Sequence, residues 1–199
     1  QLAQIMPYVG IDKFSLQEGL VKKSHPNVYI DLSTIAKGYA VDQVALLLQE
    51  DGISNFLVEI GGEMRASGTK PDNVSWYIAI EKPISGARAI QRIISIGDNA
   101  IASSGDYRNY FEENGVRYSH LIDPTMGAPI QHNLVAVSVV RPTSIEADGL
   151  ATALMIMGPE EGKKLAEREG IAALFITKEG EQYVEYQTRE FVESVNVMD

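Results

Sequence analysis

The chain has 199 residues, 45% hydrophobic and 22% charged, with a formal net charge of −10 and no cysteine. That length and balance suit one domain with a real core. The acidity argues against a general nucleic-acid or anionic-membrane surface, though not against a phosphate-bearing small ligand offset by a cation, and the lack of cysteine excludes disulfides and thiolate chemistry.

No apolar run is long enough to span a bilayer and no signal peptide is visible. The chain opens on Gln1-Leu2-Ala3 without an initiator methionine, and we expect a processed or excised piece of a longer polypeptide. The pattern predicts a short amphipathic helix with Leu2, Ile5 and Met6. Strands follow near residues 13–16 and 28–30, around a polar turn that holds Pro26 and a solvated His25.

A strand ends near Asp31, and a helix is predicted from about Thr34 to Glu50, with Ile35, Val41, Val44, Ala45 and Leu48 inward. Ser33 suits its N-cap and Gly52 its end. Asp31 and Lys37 flank a helix start, where free N–H groups favour an anion. Equally, they are ordinary surface charges on a capped helix. Gly38 in the second turn is costly unless something approaches closely, which tilts the reading toward a ligand.

Phe56 to Ile60 reads as a strand running into Gly61-Gly62, which is either a cradle for part of a ligand or a hairpin turn. Residues 76–81 and 91–96 read as further strands around a loop with Pro83 and Gly86, and the succession suggests an antiparallel sheet. A short strand at Ala100 is expected to open into a Ser103-Ser104-Gly105 loop able to offer donors to a phosphate, or merely to bend. Residues 110–118 read as a hairpin with Asn114-Gly115 at its tip.

His120 and Asp123 stand at a strand end before Asp123-Pro124. A histidine titrates near neutrality and a carboxylate can orient it, so this is acid/base equipment; a satisfied structural histidine is the alternative. His132 has no such setting and reads as surface. Leu134 to Arg141 is apolar and β-branched, a central strand.

The next helix is expected to run from Ser144 to about Met157, where Gly158-Pro159 stops it. A second helix is expected from Glu160 to Arg168. Thr143 and Glu146 have capping-box spacing, and Ile145, Leu150, Ala153 and Leu154 form the expected buried stripe. Asp148 and Thr152 lie four apart on one face, offering a carboxylate and a hydroxyl to a hard cation such as Mg²⁺. Otherwise Asp148 is an early-helix acid favoured by the dipole and Thr152 a small packing residue. Residues 171–177 and 181–186 are the last strands, and 191–199 a short helix or fraying end.

Four blocks, in order, resemble the ApbE family of flavin transferases. They are Asp31-Leu32-Ser33-Thr34-Ile35-Ala36-Lys37-Gly38-Tyr39-Ala40-Val41-Asp42; Ile60-Gly61-Gly62-Glu63-Met64-Arg65; Ser103-Ser104-Gly105-Asp106-Tyr107 with Tyr118-Ser119-His120-Leu121-Ile122-Asp123-Pro124; and Ala147-Asp148-Gly149-Leu150-Ala151-Thr152-Ala153. The resemblance implies an α+β fold, with antiparallel sheets and packed helices in a T-fold-like arrangement. It implies one flavin transferase domain over residues 1–199, the C-terminal two-thirds of the family's full length.

It also implies Mg²⁺-dependent splitting of FAD, attachment of FMN through a phosphoester bond to a threonine of a target protein, such as a redox-pump subunit, and release of AMP. Some relatives chiefly hydrolyse FAD to FMN and AMP. Family members are exported bacterial proteins, so the implied place is the periplasm or the outer face of the inner membrane. Membrane contact would come only through a lipid anchor lying outside this chain.

By the same resemblance, Asp148 and Thr152 match metal ligands, and Thr34 matches a position giving its main-chain carbonyl to the ion. Asp31, Lys37 and Ile122 match FAD contacts, and His120 matches a histidine assigned to proton transfer. Ser104 and the Gly61-Gly62 turn fall in blocks near the nucleotide. Two positions depart from the family pattern: Gly149 replaces an alanine and Met126 a threonine. A flavin-binding protein without turnover and an FAD pyrophosphatase are the alternative readings.

Overall fold

The computed structural model describes residues 2–84, 89–106, 110–113 and 116–198. In chain order, α1 (Leu2–Ile5) leads to a hairpin of β1 (Phe14–Gln17) and β2 (Leu20–Lys23). The long helix α2 (Ser33–Glu50) is followed by β3 (Phe56–Ile60), β4 (Glu63–Ser67), β5 (Ile78–Glu81), β6 (Ile90–Ser95) and β7 (Ala100–Gly105). Then come β8 (Tyr110–Glu113), β9 (Val116–Ser119), β10 (Ile122–Asp123), β11 (Ala128–Pro129) and β12 (Leu134–Arg141). Helix α3 (Ser144–Arg168), β13 (Ala172–Glu179), β14 (Gln182–Gln187), α4 (Arg189–Ser194) and β15 (Asn196–Met198) complete the chain.

The main sheet has six strands in the order β14-β13-β12-β7-β4-β3, every pair antiparallel. A second sheet, β15-β6-β5, is also antiparallel. The period-2 pattern of β12 explains how the layers stack. Val137 and Val139 point to one face, where they pack with Ala147, Ala151, Leu154 and Met155 of α3. Ala136 and Val140 point to the other, against Ile78, Ile80, Ile94 and Ile96 beneath the second sheet. The result is an α+β arrangement of helices, large sheet and small sheet, as expected. Leu154 and Met155 are fully buried, and each such side chain contributes about 1.5–3 kcal/mol.

Helix α2 lies against β3, β4 and α3. Its inward arc is Gly38, Val41, Asp42 and Ala45. Two ion pairs seat it on β4. Lys37 reaches Glu63 and Arg65 reaches Asp42, at 2.6 and 2.8 Å. The charges run in opposite sense along the two elements, with the acid of one pair on the strand and that of the other on the helix.

Several expectations shift. The second strand of the N-terminal hairpin is β2, not residues 28–30, because Glu18 and Gly19 both take positive φ and close a two-residue turn. Ser103-Ser104-Gly105 is strand, not loop, since Ser104 and Ser103 pair in register with Val137 and Ser138. The tip Asn114-Gly115 and the loop glycine Gly86 lie outside the described residues. Val44 is 41% exposed, because the inward arc of α2 is centred on Val41 and Ala45. On α3 the buried stripe is Ala147, Ala151, Leu154 and Met155, and Ala153 is exposed. The tail forms α4 and then β15, which pairs with β6.

Helix α3 breaks at Gly158 (φ +78°), where the sequence predicts a stop. His132 is not the surface residue expected. It is half-buried, with neither ring nitrogen hydrogen-bonded among the described residues. A Cβ on Gly158 would come within 2.8 Å of its ring.

Candidate active site

The site is built where the first turns of α2 and α3 meet. The start of α2 is held from upstream. Asp31 Oδ1 accepts the Ser33 N–H at 2.8 Å, so the capping oxygen comes from Asp31, with Leu32 at the N-cap position that Ser33 was expected to fill. That hydrogen bond holds the exposed Asp31 carboxyl below the usual range. Thr34 lies in the first turn and is exposed.

The start of α3 is capped across space. Thr143 makes no side-chain cap, contrary to the capping-box expectation. Instead the buried Asp42 of α2 accepts the N–H groups of Ser144 and Ile145, each at 2.9 Å, while holding Arg65. A carboxylate outcompetes a hydroxyl here because it takes several donors at once and complements the helix dipole.

One turn before Asp42, Gly38 lets the helices touch. A Cβ there would stand 2.5 Å from the Ser144 carbonyl oxygen and 2.8 Å from the Ile145 Cα. The Gly38 N–H donates to Asp148 Oδ2 at 3.0 Å. In an α-helix that N–H is aimed at the carbonyl four residues back, which is Thr34. The Asp148 carboxylate is thereby tied to the second turn of α2. Thr152, half-buried, follows one turn along α3. Burial pushes the Asp148 carboxyl above the usual range, opposed by the Gly38 N–H and by the charge of Lys37.

Glu63 opens β4 directly after the Gly61-Gly62 turn, both glycines at positive φ. It is 2% exposed. Its Oε1 accepts Lys37 Nζ at 2.6 Å, and its Oε2 is buried without a hydrogen-bond partner among the described residues. Burial raises its pKa, Lys37 opposes this, and the nearby charge of Asp148 adds to the rise. A cavity of about 590 Å³ opens beside this pair, lined by Lys37, Gly61, Glu63, Glu81, Ser103 and Ser138 among others.

The structure thus brings Lys37, Asp148 and the start of α2 together, with Thr152 on the same face of α3. Of the seven candidate residues, only Lys37 lines the cavity, so the cavity adjoins the Asp148 cluster without enclosing it. Asp31 shares the α2 start. His120 is exposed between β9 and β10, and Ile122, 47% exposed, lies on β10, which touches α3. Asp123 Oδ1 accepts the N–H groups of Thr125 and Met126 and the Thr125 hydroxyl, so that oxygen closes its own turn.

Ser104 lines the cavity, with Ser103 and Ser138 joined Oγ to Oγ at 2.7 Å nearby. Asp42 and Glu63 are the residues sequence reasoning passed over. The available signals were an acid on the inward arc of a helix, four residues after a close-contact glycine, and an acid opening a strand after a double glycine.

The ApbE family profile matches residues 1–175. The chain is 52% identical to the FAD:protein FMN transferase of Vibrio cholerae, over 92% of this chain and 54% of the relative, and 46% identical to that of Haemophilus influenzae, over 92% and 55%. The solved flavin transferase ApbE from Vibrio cholerae superposes with a TM-score of 0.87 at 46% identity, covering 97% of this chain and 61% of that one. The chain spans about half the length of the curated relatives it matches. With the four blocks in order and the fold in common across nearly its whole length, the chain belongs to the ApbE family.

Proposed function

We propose that this chain forms the catalytic core of a Mg²⁺-dependent FAD:protein FMN transferase. One observation carries the reading. A buried acid, Asp148, is seated by the Gly38 N–H between two helix starts, with a lysine close enough to perturb its charge. Relatives carrying the transferase name support it.

The donor set suits a hard cation. Asp148 would supply carboxylate oxygen, Thr152 a hydroxyl and Thr34 its main-chain carbonyl, all oxygen ligands of the kind Mg²⁺ selects. The raised pKa of Asp148 fits a carboxylate kept dry for a positive partner. Bound there, Mg²⁺ supplies neutralisation of charge on the diphosphate oxygens. The remaining work is positioning and electrostatics by the chain itself. Lys37 presents its ammonium at the cavity mouth to a phosphate. Asp31 and Ile122 flank the flavin nucleotide. His120 takes the proton of the acceptor threonine hydroxyl as its Oγ bonds to the FMN-side phosphorus. The bond from that phosphorus to the bridging oxygen breaks, and AMP leaves with that oxygen. The acceptor is a flavoprotein with a target threonine, in an exported bacterial setting.

The test is incubation with FAD and Mg²⁺, with and without a threonine-bearing acceptor, read by mass spectrometry. FMN on the acceptor with AMP in solution supports transfer. Free FMN and AMP alone would make the protein a pyrophosphatase. Unchanged FAD that stays bound would make it a flavin carrier.

A further inference from the structure

Glu63 has no part in the reaction as written above, yet its setting is unusual. A carboxylate this buried, with one oxygen on Lys37 and the other without a hydrogen-bond partner among the described residues, is a standing cost to the fold. The same ion pair at the surface would avoid that cost. The surroundings fix Lys37 as well. A Cβ on Gly61 would come within 3.1 Å of Lys37 Cδ and 3.8 Å of Glu63 Oε2, so the glycine turn packs over the lysine stem and the acid together. Lys37 has a second attraction, since its charge also acts on Asp148. A lysine stem is long and flexible. Released from Glu63, the ammonium would move onto Asp148, the carboxylate the cation needs.

We propose that Glu63 is a positioning residue. It holds the Lys37 ammonium at the cavity mouth and off Asp148, so that a diphosphate meets a preplaced positive charge. The inference rests on the reading above that Lys37 meets the diphosphate of FAD. It predicts that Glu63 acts on the ligand only through Lys37.

The test is a double-mutant cycle on the full-length protein, with FAD affinity measured by flavin fluorescence at fixed Mg²⁺ and Tm recorded for each variant. Glu63→Gln keeps size and an acceptor oxygen but removes the charge. It should weaken FAD binding about tenfold, the scale of one charge-assisted hydrogen bond. In a Lys37→Met background the same change should have no further effect. A merely structural role would lower Tm and weaken binding by the same factor in both backgrounds, which overturns the proposal. So does unchanged affinity in Glu63→Gln. Failure of the wild-type protein to bind FAD defeats the flavin reading itself, and the inference with it, and is recognised before any variant is made.

Discussion

Substituting Gly38 by alanine probes the junction on which the site depends. The added Cβ would meet the Ser144 carbonyl oxygen at 2.5 Å, its carbonyl carbon at 2.7 Å and the Ile145 Cα at 2.8 Å. All three are backbone atoms, so no rotamer change can relieve the contact. Normal carbon contacts need about 3.5–4 Å, so the helices must part by roughly 1 Å. Overpacking of this kind costs about 1–3 kcal/mol. Alanine's better helix propensity returns about 0.5–1 kcal/mol. A chain of this size loses about 2–4 °C of Tm per kcal/mol, so Tm should fall by a few degrees, up to about 10 °C.

The sharper effect is on Asp148. Its bond from the Gly38 N–H, 3.0 Å long, would stretch beyond hydrogen-bond range, and the carboxylate would lose its tie to α2. The assay is thermal unfolding with and without millimolar Mg²⁺. The wild-type protein should gain Tm with Mg²⁺, and the Gly38→Ala variant should gain much less. A variant with wild-type Tm and an undiminished Mg²⁺ response would refute the argument that helix contact sets the ligand geometry.

Asp42→Ala removes the acceptor of Arg65 and of two α3 N–H groups. Chemical denaturation should show a loss of about 3–5 kcal/mol, the cost of stranding a buried partner charge. Asp148→Asn should abolish the Mg²⁺-induced gain in Tm and metal-dependent turnover. It should also change the pH profile of stability. An acid whose folded pKa is raised binds its proton more tightly when folded, so its contribution to stability falls as pH rises from the ordinary carboxylate range through the raised value. The Asn variant should lose that component, and Tm recorded across pH tests it. His120→Ala should leave FAD binding intact and slow transfer by about 10²–10⁴. An unchanged single-turnover rate would remove His120 from the mechanism.

Much of this was legible from residue pattern. β12 shows its bounds because a valine-rich, largely apolar run from Leu134 to Val140 leads up to Pro142, and Gly158-Pro159 marks the break in α3. Asp148 and Thr152 are readable as a pair because helical spacing alone puts them on one face. What escaped was tertiary. Thr143 has the right chemistry for a cap, and only the approach of α2 gives that role to Asp42, more than a hundred residues away in sequence. Ser103-Ser104-Gly105 has loop composition, and its strand state comes from pairing with β12. Glu63 reads as a polar turn residue until burial and the lysine opposite reveal its position.

The crossed ion pairs between α2 and β4 separate two properties that usually travel together. Beside the apolar packing of Val41 and Ala45, the electrostatic share of the helix's seat depends on opposite charges facing each other at both points. A visiting anion, by contrast, senses which partner of the outer pair is the cation. Exchanging Lys37 and Glu63 with one another would keep the attraction within the pair while presenting an acid to the solvent side, where it would repel Asp148. The attraction within the pair is thus the same for either polarity, whereas an anionic ligand would feel the reversal at once.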